Sequence, residues 1–201
     1  MTHRRVLLNR LYAEYEAEDG LAHMRAAGSR LVRGAGPVRP RFMFVGEAPG
    51  QNEDKLGLPF IGASGRFLEE LLASVGLLRT DVFITNTVKY RPVDDNRRNR
   101  PPTDAELFVS IPFLRKEWAI LGRPPMVVLG KHAKRAASLL PEYLYLPNAK
   151  MTVGEWCWLG DTPLLPLHHP AYGLYQQRNR PLLFEHFQAL LEVDAFVKGK
   201  P

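Results

Sequence analysis

Cysteine is almost absent from this chain of 201 residues: its one thiol is Cys157, within EWCWLG. A disulfide needs two cysteines and a zinc site built on thiolates needs several, so the sequence predicts neither. We therefore expect no metal and no cofactor, and we place Cys157 in the core.

Long apolar runs are also missing, since none approaches the roughly 18 residues that a membrane-spanning helix needs. The basic N-terminus has an apolar segment too short for a signal peptide and soon turns acidic, so we expect a cytoplasmic protein without membrane contact. The chain also lacks a P-loop, a G-x-G-x-x-G motif, internal repeats and low-complexity tracts. One globular domain over residues 1–201 is the expectation.

Positive charge is in excess, with a formal net charge of +6 at pH 7, which fits a polyanionic partner. The excess is concentrated in two turn-like segments, KYRPVDDNRRNRPP at residues 89–102 and QQRNR at residues 176–180. Neither segment has helical spacing. We expect these two basic loops to flank one cleft.

Four short apolar runs have the unbroken pattern of strands that are covered on both faces. Helical spacing lies between them, which predicts an α/β fold: a single three-layer αβα domain with a central four-stranded parallel sheet, after an N-terminal helix and linker over about residues 1–40. Pro112 should kink the helix that contains it or delay its start. The predicted strands are residues 42–45, 82–85, 126–129 and 164–167, and the predicted helices are residues 6–27, 64–76, 103–121, 130–140 and 181–197.

Polar residues follow the predicted strands, and ligands of such sheets bind where the carboxyl ends of the strands meet. Glu47 follows the first strand, Asn86 ends the second, and His169 follows the fourth. A carboxylate there can activate water, an amide can read a nucleobase edge, and an imidazole can donate to an oxyanion. The alternatives are a helix cap, a turn former and a structural histidine, with His168 as a competing candidate. Phe60 can stack on a flat ring or belong to the core.

Three segments resemble successive motifs of the uracil-DNA glycosylase superfamily, most closely its family 4: GEAPGQNEDKLGLPFIGASGRFLEELL, ITNTVKYRP and HHPA. The resemblance spans residues 41–190. It implies a four-stranded parallel sheet between helices, in agreement with the strand pattern. It also implies an enzyme that flips uracil out of DNA, hydrolyses its N-glycosidic bond and leaves free uracil and an abasic site.

The resemblance assigns a role in the pocket to six residues of this chain. The expected partner is DNA that contains uracil, and the two catalytic groups would stabilise the charges that develop as the base departs. The six are Glu47 as the water-activating acid, His169 as the donor to the uracil O2, Phe60 as the stacking ring, Asn86 as the uracil-reading amide, and Gly46 and Ala48 as backbone lining of the pocket.

The resemblance also implies a DNA-binding surface. In the family, the loop after the HP motif supplies an apolar wedge that fills the gap left by the flipped base. Basic residues near the pocket would neutralise phosphates, the alternative being a solvated charged face. The wedge candidates are Tyr172, Leu174 and Tyr175, and the phosphate-binding candidates are Arg91, Arg97, Arg98, Arg100, Arg178 and Arg180.

One feature of family 4 has no counterpart in this sequence. Its members usually hold a four-iron, four-sulfur cluster on four cysteines, whereas this chain has Tyr90 in KYRP, Ile111 in SIP and no cysteine in residues 1–40. Thiolate ligation is therefore impossible, and we expect Tyr90 and Ile111 to pack where the cluster would lie. A related branch captures the abasic sugar through a histidine that residues 88–102 lack, so ordinary turnover is implied.

Three other functions stay open at the level of the sequence. One is a catalytically weak superfamily member that binds uracil-containing or abasic DNA. Another is a glycosylase for a different deaminated base, such as hypoxanthine or xanthine. The third is a small-molecule hydrolase or a nucleotide-binding α/β protein, which gains no support because the sequence has neither a P-loop nor a G-x-G-x-x-G motif. A surface that grips bent DNA needs no symmetric partner, so we expect a monomer.

Overall fold

The computed structural model describes residues 2–144 and 150–199, and its strands form one sheet in the order β2-β1-β3-β5-β4. Strands β1, β2, β3 and β5 run parallel to one another, and β4 pairs with β5 in the antiparallel direction. The strands are β1 (Phe42–Gly46), β2 (Val82–Asn86), β3 (Met126–Leu129), β4 (Cys157–Leu159) and β5 (Thr162–Leu167).

Helices connect the strands and cover the sheet. In chain order they are α1 (His3–Glu16), α2 (Ala22–Ala26), α3 (Gln51–Leu56), α4 (Ala63–Ser74), α5 (Asp104–Leu121), α6 (Gly130–Ser138), α7 (Pro141–Leu144), α8 (Ala171–Tyr175), α9 (Arg180–Gln188) and α10 (Val193–Lys198). The short helices α3 and α8 lie in the loops that follow β1 and β5, and longer helices cover the two faces of the sheet.

The central strands are apolar throughout because both faces of the sheet are buried. In β1, Met43 and Val45 belong to the apolar cluster formed with α1, α5 and α6. Phe42 and Phe44 point the other way, into the cluster formed with α4 and α9, where Phe44 stacks on Phe187 with ring centroids 6.3 Å apart. Alternate residues of a strand face opposite sides, so two unlike apolar layers produce an unbroken hydrophobic run. The predicted three-layer α/β fold is confirmed.

The predicted sheet of four strands is one strand short. The four parallel strands are present, and β4 adds an antiparallel edge through a tight turn at Gly160, whose φ is +58°. The edge strand has three residues and is only partly buried, which is why CWL lacked the apolar run of a central strand. Cys157, expected in the core, is half-buried on this strand.

The predicted N-terminal and C-terminal helices are each divided in the structure. A short 3-10 segment at Asp19–Leu21 separates α1 from α2, and another at Ala189–Glu192 separates α9 from α10. In the first case the Glu18 side chain accepts a hydrogen bond from the Gly20 N–H, which starts a new turn before the α1 pattern can continue.

Of the two effects expected of Pro112, a kink or a delayed start, the delay is wrong, because α5 already begins at Asp104. A capping box sets this start: the Thr103 hydroxyl accepts from the Glu106 N–H at 3.2 Å, and the Glu106 carboxylate accepts from the Thr103 N–H at 2.7 Å. Pro112 is tolerated on the exposed side of the helix, where water can reach the carbonyl of Phe108 that it leaves without an amide partner.

Among the described residues, no helix combines the length and apolar character that crossing a membrane requires.

Candidate active site

The carboxyl ends of β1, β2 and β5 open onto one cavity of about 370 Å³. β1 and β2 end side by side, since Gly46 pairs with Asn86 in the register of the sheet. Residues that are far apart in the sequence thus meet at one edge. Glu47, Ala48, Phe60, Asn86 and His169 all line this cavity.

Gly46 provides the space in which two of these side chains meet. A Cβ atom at this position would lie 2.4 Å from Asn86 Oδ1 and 2.7 Å from the Phe60 ring, distances that packed atoms do not adopt. The Gly46 carbonyl accepts hydrogen bonds from the Thr87 N–H at 2.9 Å and the Thr87 hydroxyl at 3.1 Å. The strand end is therefore fixed, and the missing side chain lets the amide and the aromatic ring converge.

Phe60 is held in an unusual backbone conformation at the floor of the cavity. Its φ of +52° lies in the left-handed region, which costs a residue other than glycine about 1–3 kcal/mol. The Arg79 guanidinium donates to the carbonyls of Pro59 and Phe60, the latter at 2.8 Å, and Gly65 leaves room for α4 to approach. Phe60 is 5% exposed, and its ring centroid is 5.6 Å from that of His169. The surrounding contacts thus set the position of the ring.

Glu53, on α3, supports the same floor and was not singled out in the sequence. Its Oε1 accepts hydrogen bonds from the Ile61 N–H at 3.1 Å and the Gly62 N–H at 2.9 Å. These bonds fix the loop between Phe60 and α4, and the carboxylate also lines the cavity. The signal that could have found it is the acidic pair after GEAPG.

Asn86 is 2% exposed, and its backbone carbonyl contacts a buried ion pair. Lys89 Nζ donates to the Asn86 carbonyl at 2.9 Å, to the Thr85 hydroxyl at 3.0 Å and to Glu117 Oε2 at 2.9 Å. The side chains of Lys89 and Glu117 are both fully buried, and Tyr12 of α1 donates its hydroxyl to Glu117. The N-terminal helix is thereby connected to the strand end that carries the amide.

His169 has its ring orientation and tautomer set by the backbone. Its Nδ1 accepts a hydrogen bond from the Ala171 N–H at 3.1 Å, at the start of α8. Burial lowers the pKa of His169 to about 4, against a smaller opposing effect of Glu53. The ring is therefore neutral at pH 7, and its proton lies on Nε2, which can donate to a ligand in the cavity.

His168, the competing candidate, does not line this cavity. Its ring stacks on Tyr172 with centroids 4.4 Å apart and on His186 with centroids 5.6 Å apart. Burial lowers the pKa of His168, with smaller contributions from His186 and Lys134. Its contacts give it a packing role beside α8.

The Glu47 side chain is partly buried, with 30% of its surface exposed to solvent. Burial raises the pKa of Glu47, and the nearby charges of His132 and then Lys131 act in the opposite direction. His132 Nε2 lies 3.9 Å from Glu47 Oε2. His132 was not selected from the sequence, although it belongs to the GKHAKR segment that follows the third strand.

The first basic loop forms a hairpin whose arginines mostly bind the protein itself. Arg91 is 8% exposed, and it donates to the Asn99 side chain at 2.6 Å and to the Arg97 carbonyl at 3.1 Å. Arg97 donates to the Ala27 carbonyl at 2.9 Å, and Arg100 holds both carboxylate oxygens of Glu106. Their predicted phosphate contacts stay predictions, and hydrogen bonds within the protein already occupy these guanidinium groups.

Three predicted phosphate ligands are exposed, Arg97, Arg98 and Arg178, and Arg97 is also bound to the Ala27 carbonyl. Arg180 instead donates to Glu70 at 2.7 Å and lies over the Phe67 ring, 4.1 Å from its centroid. Arg98 lies in the hairpin and Arg178 follows α8, so the two stand in the two basic loops predicted to flank the cleft.

The three wedge candidates differ in their exposure and in their contacts within the protein. Leu174 packs against the apolar cluster of α4 and α9, and Tyr172 stacks on His168. Tyr175 is 89% exposed and lines the rim of the cavity. Of the three, Tyr175 has the side chain that can enter a DNA stack without leaving a contact in the protein.

The residues present do not fit an iron–sulfur cluster. Tyr90 and Ile111 are buried in one apolar cluster with Tyr15 and Met24, and the rings of Tyr15 and Tyr90 stack at 5.7 Å. The chain's single thiol, Cys157, lies on β4. Within residues 2–144 and 150–199, no group of three or more histidine, cysteine or acidic side chains is arranged to hold a metal ion.

The fold and the site define an α/β protein with a cavity at the carboxyl edge of a mainly parallel sheet, lined by an acid, an amide and an imidazole. The model of the uracil DNA glycosylase superfamily matches residues 33–192. The chain belongs to this superfamily.

Several type-4 uracil-DNA glycosylases are similar to the chain over most of its length. The enzyme of Sulfurisphaera tokodaii is 34% identical over 185 residues, which are 86% of this chain and 82% of that protein. That of Archaeoglobus fulgidus is 37% identical over 80% of this chain and 78% of its own length. That of Thermotoga maritima is 36% identical over 75% of both chains.

Proposed function

We propose that this protein removes uracil from DNA by hydrolysing the N-glycosidic bond, which leaves an abasic site. The observation that carries the proposal is the convergence of Glu47, Phe60, Asn86 and His169 on one cavity. The names of its relatives support the same substrate.

The cavity suits a flipped pyrimidine. The Phe60 ring offers a flat surface for stacking, and the buried Asn86 amide offers a donor and an acceptor side by side. Gly46 keeps these two groups close together. We infer that the base stacks on Phe60 and that Asn86 reads its hydrogen-bonding edge.

Cleavage of the glycosidic bond separates positive from negative charge, and each of the two catalytic candidates can stabilise one of them. The C1′–N1 bond breaks with its electron pair moving to the base, so positive charge develops on the sugar and negative charge on uracil. The Glu47 carboxylate stabilises the sugar cation and accepts a proton from the water whose oxygen bonds to C1′. The Nε2–H of neutral His169 donates to the O2 of the departing anion.

DNA must bend to deliver the base, at a cost of a few kcal/mol for unstacking. We assign Tyr175 as the residue that fills the gap, because it is exposed beside the cavity. Arg98 and Arg178 are the basic side chains most free to contact phosphates. A monomer acting in the cytoplasm completes the proposal.

Oligonucleotides that carry U, hypoxanthine, xanthine or T opposite each normal base test the function directly. Strand scission by alkali after incubation reports abasic sites, and we expect it with U and not with T. Glu47→Gln should lower kcat about 10²- to 10⁴-fold while DNA affinity is retained. Uracil-DNA binding without any scission would point to a non-catalytic binding protein, and preference for a purine would reassign the base.

A further inference from the structure

Glu47 has a neighbour on the side opposite the substrate cavity. Helix α6 begins directly after β3, and its first turn carries His132, whose Nε2 lies 3.9 Å from Glu47 Oε2. The two side chains are about equally exposed, at 32% and 30%. A second, very small cavity of about 10 Å³ adjoins both of them, between Thr87 of the β2 end and Leu107 of α5. Glu47 therefore stands between the substrate cavity and His132.

The other charged groups around Glu47 have different positions or are already engaged. Lys131 is the second positive group that acts on the carboxylate. Arg135, also on α6, lines the small cavity but pairs with Asp104 of α5 at 2.7 Å. Three more groups line the substrate cavity with Glu47: Glu53 of α3, Arg100 of the hairpin and the neutral His169 after β5. The Glu53 carboxylate accepts backbone hydrogen bonds, and Arg100 is bound to Glu106. His169 accepts a hydrogen bond from the Ala171 N–H.

A carboxylate that must accept a proton from water needs both a fixed direction and a negative charge. Burial works against the charge at Glu47. A protonated imidazole within 4 Å favours the ionised carboxylate and attracts one of its oxygens, which leaves the other toward the cavity. Since β3 and α6 fix the position of His132, this attraction also restricts the Glu47 rotamers.

We propose that His132 is a positioning residue for the glycosylase reaction: its imidazole, 3.9 Å from one Glu47 oxygen, directs the carboxylate at the attacking water. This role rests on the proposed function, because it acts only through Glu47. His132 itself does not line the substrate cavity.

The consequence appears in the pH dependence of kcat. Glu47 accepts a proton only when ionised, so kcat falls as the pH drops through its pKa. Because His132 lowers the pKa of Glu47, its replacement raises that pKa further, and the acid limb of the profile moves to higher pH. A shift of one pH unit lowers kcat on that limb about tenfold.

The test compares kcat and KM on uracil-containing duplex DNA from acid to neutral pH for wild type, His132→Ala, His132→Gln and His132→Lys. We expect the alanine and glutamine variants to shift the acid limb to higher pH with unchanged KM. The lysine variant should keep the limb at or below the wild-type position, because a lysine side chain places a positive charge beside Glu47. Lys134→Ala is the matched control: it removes one charge from the same helix, where Lys134 lies near the Met151 carbonyl, and should leave the profile unchanged.

Thermal melting of each variant confirms that it is folded. If His132→Ala is active and its acid limb lies at the same pH as that of the wild type, the role given to His132 is overturned, while the proposed glycosylase function stands. A shift in Lys134→Ala equal to that in His132→Ala would also overturn that role, because net charge would then explain both. Absence of excision by wild-type protein on every base would overturn the proposed function, and this inference with it.

Discussion

The Nδ1 of His169 accepts a hydrogen bond from the Ala171 N–H, 3.1 Å away, at the start of α8. Since burial also lowers the pKa of His169 to about 4, the ring is neutral over the physiological range. Two residues of the same loop thus decide which ring nitrogen carries the proton.

Replacing His169 by alanine should lower kcat for uracil excision about 10²- to 10³-fold, the loss measured when one donor to a developing oxyanion is removed. The affinity for uracil-containing DNA should change little, because the donor acts mainly on the departing anion. Single-turnover kinetics and fluorescence anisotropy measure the two quantities. His168→Ala is the matched control, since His168 stacks on Tyr172 outside the cavity and should lose far less activity. Equal losses in both variants would contradict the assignment.

Gly46→Ala should abolish base binding. The new methyl group would lie 2.4 Å from Asn86 Oδ1 and 2.7 Å from the Phe60 ring, so one of these side chains must leave its place. We expect kcat/KM to fall at least about 10²-fold, as for other small displacements of a positioned substrate. Gly199→Ala is the control, because its methyl group would meet its nearest neighbours at 3.5 Å, an ordinary contact. An active Gly46→Ala enzyme would show that Phe60 and Asn86 do not form the base site.

Lys89→Met should destabilise the fold by about 3–5 kcal/mol, because it leaves the fully buried Glu117 carboxylate without its cation. Urea denaturation measures the free energy of unfolding. The double variant with Glu117→Gln should recover part of the loss, since the buried charge is then gone. Arg10→Met removes an exposed partner of Glu14 and should cost less than about 1 kcal/mol. A Lys89→Met protein as stable as Arg10→Met would contradict the role given to the pair.

Tyr175→Ala should lower excision from duplex DNA about tenfold and leave excision from single-stranded DNA nearly unchanged. The reason is that only a duplex must be unstacked, at a cost of a few kcal/mol that an inserted ring offsets. Leu191→Ala removes another exposed apolar side chain, 56% accessible, and serves as the control. Parallel loss on both substrates would assign Tyr175 to base binding instead of wedging.

Much of the fold was predictable because its signals are local. The four parallel strands are continuous apolar runs, and the polar residues that follow them necessarily gather at one edge. The strand β4 was missed because three partly exposed residues at an edge carry no pattern of their own. The helix over residues 103–121 was predicted almost as it stands, and the delay considered for Pro112 does not occur because the capping box at Thr103 starts α5.

The site was predictable at Glu47, Phe60, Asn86 and His169, whose residue types and loop positions suggest their chemistry from the sequence. Their roles stay predictions. Glu53, Lys89 and His132 were not found, because each matters through a partner elsewhere in the chain. For the arginines of the hairpin, the sequence predicted phosphate binding but could not show their contacts within the protein. Arg91 is bound to Asn99 and Arg100 to Glu106.

By itself, the sequence determined the order of strands and helices and the kinds of side chain at the carboxyl edge of the sheet, because spacing and residue type act over a few neighbouring positions. Only the tertiary structure decided that His132 stands beside Glu47, that Lys89 meets Glu117 and that Tyr175 is the free wedge candidate. These relationships depend on how helices pack across the sheet, and packing distances between remote residues leave no local pattern in the chain.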